Sequence, residues 1–141
     1  MKGKKPTILV VEDEQDIRNM TYMLLLGTGY NPLLAADGQE ALKFLGNGND
    51  ISLAMIDTQM PEMDGLKVTR TIRKDSRFGR YKSLPIILMG AAYSFNGREE
   101  EKEAIGAGAN CYMKKPFENK ELLSKIKELI GEYSQKTTKG R

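Results

Sequence analysis

The chain has 141 residues, 40% apolar and 29% charged, which suits one globular domain with a real core. With no His and a single Cys111, it excludes Ser-His catalysis, imidazole acid–base chemistry, His-ligated zinc, an internal disulfide and any Cys-cluster metal site. The formal charge of +3 misleads: six of the 22 basic residues (Lys2, Lys4, Lys5, Lys136, Lys139 and Arg141) lie near the ends, leaving 16 against 19 acidic ones in the body.

Apolar runs and helix-period segments alternate along the chain. "TILVV" (7–11) reads as a buried strand. A helix follows it in "EQDIRNMTYMLLLG", with Ile17, Met20, Met23, Leu24 and Leu26 on one stripe. "NPLLAA" (31–36) is a second strand, and "GQEALKFLGNG" a helix closed by Gly. "ISLAMI" (51–56) is the third strand, and "GLKVTRTIRKD" a helix with Leu66, Val68, Thr69 and Ile72 near one side. "KDSRFGRYKS" reads as a longer surface loop before the fourth strand, "LPIILMGA" (84–91). "REEEKEAIGAG" is the fourth helix, "NCYM" (110–113) the fifth strand, and "NKELLSKIKELIGEY" a closing amphipathic helix. Five strands alternating with five helices predict a parallel sheet covered on both faces, because strands buried twice over read as continuous apolar runs. The eight Met read mostly as adaptable core filler. The domain is expected over 6–133, with basic flexible tails at 1–5 and 134–141. No apolar run approaches the ~20 residues of a membrane span. The start lacks the long apolar core of a signal peptide. Those absences and the lone Cys point to the cytoplasm, and no folded element for reading nucleic acid is expected.

An abrupt carboxylate ends the third strand, in "MIDTQMPEMDG" (55–65). In an open parallel α/β sheet, ligands bind beyond the C-terminal ends of the strands. The first strand runs there into Glu12 and Asp13, the third into Asp57, and the fifth into Lys114, Lys115 and Pro116. Singly, each has a plainer reading: Glu12 and Asp13 as caps of the first helix, Asp57 as a turn opener before Pro61, Lys115 as loop polarity. If the first, third and fifth strands lie close together, three carboxylates and an ammonium share one crevice. Clustered carboxylates repel one another unless something neutralises them. A hard divalent cation such as Mg²⁺ does so, completing its octahedron with water and phosphate oxygens. Lys115 is then a point charge for a phosphoryl group, and Asp57 can be nucleophile as well as ligand.

Taken together, "ILVVEDEQDIR", "AADGQEAL", "MIDTQMPEMDGL", "LPIILM" and "AGANCYMKKPF" resemble the receiver domains of two-component response regulators, in order and over roughly Pro6 to Tyr133. The resemblance implies a flavodoxin-like doubly wound sheet of order 2-1-3-4-5 and a signal relay rather than an enzyme acting on outside substrates. It implies Asp57 as phosphoacceptor, loaded by a histidine kinase or phosphotransfer protein, and Glu12 and Asp13 as the pair holding Mg²⁺. The Gln59 backbone carbonyl is implied as a metal ligand, Lys115 as the phosphoryl contact, and Pro116 as the proline after it, where the family often has a cis bond. Tyr112 corresponds to the family's switch aromatic, and Gly65 suits a tight turn into the third helix. The output partner is unspecified.

One position departs from the pattern. The family places Thr or Ser at the end of the fourth strand; here Gly90 stands there, followed by Ala91. Glycine offers neither a hydroxyl nor a moving side chain, so the turning of Tyr112 is expected to be only weakly linked to phosphorylation. Ser94, in a longer loop, could supply a hydroxyl instead, although a solvated loop serine is its plainer reading. Gly90 also supports a rival reading, a pseudo-receiver that signals without phosphorylation, which the intact Glu12, Asp13, Asp57 and Lys115 oppose. A flavin carrier on the same fold rests on topology alone. A metal-dependent phosphatase lacks any visible substrate pocket.

Overall fold

The computed structural model describes residues 4–91 and 97–139. Five parallel strands form one sheet in the order β2-β1-β3-β4-β5: β1 (Thr7–Val11), β2 (Asn31–Ala35), β3 (Leu53–Asp57), β4 (Ile86–Gly90) and β5 (Cys111–Lys114). The helices are α1 (Gln15–Gly27), α2 (Gly38–Gly46), α3 (Gly65–Lys74), α4 (Gly97–Ala107) and α5 (Asn119–Lys139).

Side chains alternate across a strand, and the sheet divides its apolar residues accordingly. Leu9, Val11, Ala54, Ile56, Ile86 and Leu88 belong to one core with Val68 and Ile72 of α3, Ala41 of α2 and Ala104 of α4. Ile8, Val10, Met55, Ile87 and Met89 belong to a second with Leu25 of α1 and Leu122 and Ile126 of α5. Every residue of β3 and β4 is buried, so the continuous apolar runs have the cause assigned to them. Where α2 and α3 begin, short side chains take up free amides. Asp37 accepts from the Glu40 N–H at 2.8 Å, and Asp64 accepts from the Lys67 N–H at 2.9 Å.

Three expectations need correction. The stripe on α1 is misplaced: Met20 and Met23 are 72% and 66% exposed, Leu26 is exposed, and Leu25 is the fully buried residue. In the run "MLLL" consecutive apolar residues circle the helix, so periodicity alone cannot select the inward one. The segment read as a surface loop contains a 3₁₀ helix, Ser76–Tyr81, with Phe78 and Tyr81 buried. Its Tyr81 hydroxyl donates to the Asn49 carbonyl and accepts from the Ile51 N–H, so this piece seals the entrance to β3. Finally, α5 runs on through residues 134–139, where a tail was expected. That polar stretch holds no Pro or Gly before Gly140 to stop it. No described helix is long and apolar enough to cross a membrane.

Candidate functional site

The site lies where β1, β3 and β5 end. Glu12, one residue past β1, is tied back to the sheet by its N–H, which donates to the Ala35 carbonyl at 3.1 Å. Arg18 of α1 donates to the Glu12 carbonyl at 2.9 Å and to the Asp13 carbonyl at 3.3 Å, fixing the turn between strand and helix. Asp57, the last residue of β3, pairs in register with Met89. Beyond it, the Thr58 N–H donates to the Met89 carbonyl at 2.9 Å. On the far side, the Lys115 N–H donates to the Gly90 carbonyl at 2.7 Å, and the Lys115–Pro116 bond is cis.

These anchors bring the charges together. The Lys115 ammonium donates to Glu12 Oε1 at 3.1 Å and to Asp57 Oδ2 at 3.4 Å. The other Asp57 oxygen, Oδ1, accepts from the Gln59 N–H at 3.1 Å. The second Glu12 oxygen accepts from the Glu14 N–H at 3.3 Å. Glu12 therefore contacts both the turn before α1 and the crevice, while the N-cap position of α1 is Glu14, which makes no side-chain capping bond. Glu12 is 2% and Asp57 8% exposed, whereas Asp13 faces solvent. Burial, then the neighbouring Asp57 charge, push the Glu12 carboxyl up to about 7, against the opposing pull of Lys115. Burial alone would lower the Lys115 ammonium, but Asp57 and Glu12 outweigh it and hold the pKa above its ordinary value.

One oxygen each from Glu12, Asp13 and Asp57 lies within 4.8 Å of the others, a spacing that suits a small hard cation. A buried acid whose charge is disfavoured for want of a counter-charge is what such a cation corrects. The oxygen-only donor set suits Mg²⁺ rather than a softer metal. An open cavity of about 580 Å³ stands over the cluster, walled by Asp13, Asp57, Gln59, Ala91, Lys115 and Pro116.

Gly65 is explained by close approach rather than by a turn. It opens α3 without a positive φ. A Cβ there would collide with the Asp57 carbonyl oxygen and lie 3.0 Å from Thr58 Cα. Sequence reasoning missed two residues, Thr58 and Glu100. The Thr58 hydroxyl donates to Glu100 Oε1 at 2.9 Å, joining the exit of β3 to the first turns of α4. Nothing in "REEEKE" distinguishes Glu100 from its neighbours; only the fold aims it inward. Tyr112 of β5 is half-buried against the first core. Ser94 lies outside the described residues.

The family model described as the response regulator receiver domain matches residues 8–127. The chain belongs to this family. Among curated proteins, this receiver domain is 35% identical to the chemotaxis protein CheY1 of Helicobacter pylori over 88% of its own length and 96% of the relative's. It is 32% identical to protein PetR of Rhodobacter capsulatus over 99% of its length, but spans only 55% of that protein. Against the response regulator MprA of Mycobacterium tuberculosis it is 36% identical over 87% of its length and spans 50% of the relative. The receiver domain thus spans about half the length of several relatives and nearly all of another. Among solved structures, a CheY-like receiver domain protein from Methanospirillum hungatei superposes with a TM-score of 0.82 at 28% identity, covering 94% of this chain and 99% of that one. The receiver domain of a sensor histidine kinase from Pseudomonas aeruginosa gives 0.76 at 30% identity, covering 91% and 99%. That structure holds a magnesium ion coordinated in its active-site cleft.

Proposed function

We propose that this receiver domain accepts a phosphoryl group on Asp57 from a histidine kinase or phosphotransfer protein and relays the signal by altered binding of an output partner. The observation that carries the reading is a carboxylate at a strand end, buried at its base, paired with the Lys115 ammonium and open to a cavity of about 580 Å³. An Asp57 oxygen attacks phosphorus as the bond from phosphorus to the donor nitrogen or oxygen breaks, and the electron pair leaves with the donor. The Lys115 ammonium, already positioned, meets the charge on the transferred oxygens, and the Gln59 N–H keeps the carboxylate oriented. Glu12, Asp13, Asp57 and the Gln59 carbonyl would hold Mg²⁺, which supplies neutralisation of the donor's phosphate charge. The domain is then a signalling module that promotes only its own loading and unloading. We place it in the cytoplasm, in keeping with the free, half-buried Cys111.

Intact-mass analysis after incubation with acetyl phosphate and Mg²⁺ tests the reading. One phosphoryl adduct is expected, absent from Asp57→Asn and absent in chelator. An adduct that survives the substitution overturns the assignment.

A further inference from the structure

Gly90 ends β4 fully enclosed, and its surroundings show why no larger residue stands there. A Cβ at this position would fall inside the van der Waals radii of Tyr112 Oη and Glu100 Oε1, and 2.7 Å from Tyr112 Cζ. The space a side chain needs is filled by the tip of a tyrosine and the tip of a glutamate. At Gly65 the obstacle is backbone, which cannot yield; at Gly90 both obstacles are ends of flexible side chains, which can.

The Tyr112 hydroxyl is sealed from solvent with no hydrogen-bond partner among the described residues. Burial first, then the Glu100 carboxylate beside it, suppress its ionisation. The ring body packs against the first core, and its hydroxyl lies against the Glu100 carboxylate, so packing and this polar contact both act on the inward ring. Glu100 uses the oxygen that fills the gap to accept the Thr58 hydroxyl at 2.9 Å, and Thr58 directly follows Asp57 in the chain.

We propose that Gly90 lets Tyr112 stay turned inward whatever the state of Asp57, with Glu100 closing the gap and tying α4 to Thr58. The face formed by α4 and β5 is then set by packing volume, and loading of Asp57 does not rearrange it. The second half of this proposal rests on the reading of Asp57 as phosphoacceptor; the inward ring in the resting protein does not.

The test is fluorine NMR on the full chain labelled with 3-fluorotyrosine, with the Tyr112 signal assigned by Tyr112→Phe and its exposure read with a soluble paramagnet. In the native protein, Tyr112 should be protected and unchanged by beryllofluoride with Mg²⁺. Gly90→Ala should expel the ring and increase paramagnetic broadening several-fold in the resting state. Glu100→Ala, which opens the gap without filling it, should give a smaller increase. The proposal is overturned by an exposed Tyr112 in the resting native protein, by a protected Tyr112 in Gly90→Ala, or by a Tyr112 signal that moves when the adduct forms. If Gly90→Ala does not fold, the native and Glu100→Ala spectra decide. The beryllofluoride adduct has its own fluorine signal. Its absence counts against the phosphoacceptor reading and leaves the resting-state spectra to judge the ring.

Discussion

At the end of β3, Glu12, Asp57 and Lys115 form a chain of opposite charges, with contacts of 3.1 and 3.4 Å, held in a setting where each needs the others. One strand further across, at the end of β4, Gly90 bears no side chain, and Tyr112 and Glu100 occupy its place. The first region is governed by charge: removing Lys115 would leave two buried carboxylates uncompensated. The second is governed by volume: one added methyl group would collide with both tips. Two strand ends of one sheet therefore answer to different forces. Substitutions in one region should leave the other unchanged.

The strongest way to break this contrast is to strip the charged side alone. Glu12→Gln combined with Asp13→Asn should weaken Mg²⁺ binding by about 100-fold, taking each carboxylate as worth roughly 1.4 kcal/mol. Phosphoryl loading should fall to background while the Tyr112 environment stays as it was. Titration calorimetry and intact mass give the first two quantities, and a shifted Tyr112 signal would show that the regions are not independent. Next in size is Gly65→Ala, which presses a methyl group against the Asp57 carbonyl. Overpacking against backbone should cost roughly 1–3 kcal/mol in urea unfolding and slow loading of Asp57 by displacing it. A fully stable variant would mean that α3 can shift freely away from the site.

Acidity sharpens the contrast further. The Glu12 carboxyl is held at about 7 in the folded protein against an ordinary 4.5, so the folded state binds its proton more tightly. Its favourable contribution is full below 4.5 and is lost as the pH rises through about 7. The metal-free protein should accordingly be less stable at pH 8 than at pH 6. Glu12→Gln should recover on the order of 1–2 kcal/mol at pH 8 and change little near pH 4. Thermal melts in chelator across that range check the sign, and stability that climbs towards pH 8 would refute it. Smallest is Thr58→Val, which removes the hydrogen bond to Glu100. About 1 kcal/mol or less is expected, with Mg²⁺ affinity unaltered.

Much of this was legible in the residues. The continuous apolar runs of β1, β3 and β4 encode burial on both faces, and the acids and lysine that follow the strands follow from where such strands must end. What stayed hidden depended on aim rather than on type. Consecutive leucines in α1 did not reveal that Leu25, not Met23 or Leu26, faces the core. The polar look of "KDSRFGRYKS" concealed Phe78 and Tyr81, because two aromatics among charges carry no period. Glu100 is one acid in a row, singled out only by the space beside Gly90 that it helps to fill.

The opposite end of β4 and β5 carries a different construction. Arg73, near the end of α3, donates to the Gly108 carbonyl at 2.9 Å, to the Lys82 carbonyl at 3.1 Å and to Asn110 Oδ1 at 2.9 Å. That same Asn110 oxygen accepts from the Ile86 N–H at 2.9 Å, where β4 begins. Gly108, at φ +115°, leaves room for the arginine stem, since a Cβ there would sit 2.6 Å from Arg73 Cγ. One guanidinium thus staples the exit of α3, the approach to β4 and the approach to β5. Amides at this end should be among the slowest to exchange with solvent deuterium, and those around the Asp57 crevice faster. Mechanically, β4 and β5 are clamped at their starts, which leaves freedom of movement to the ends that face the crevice.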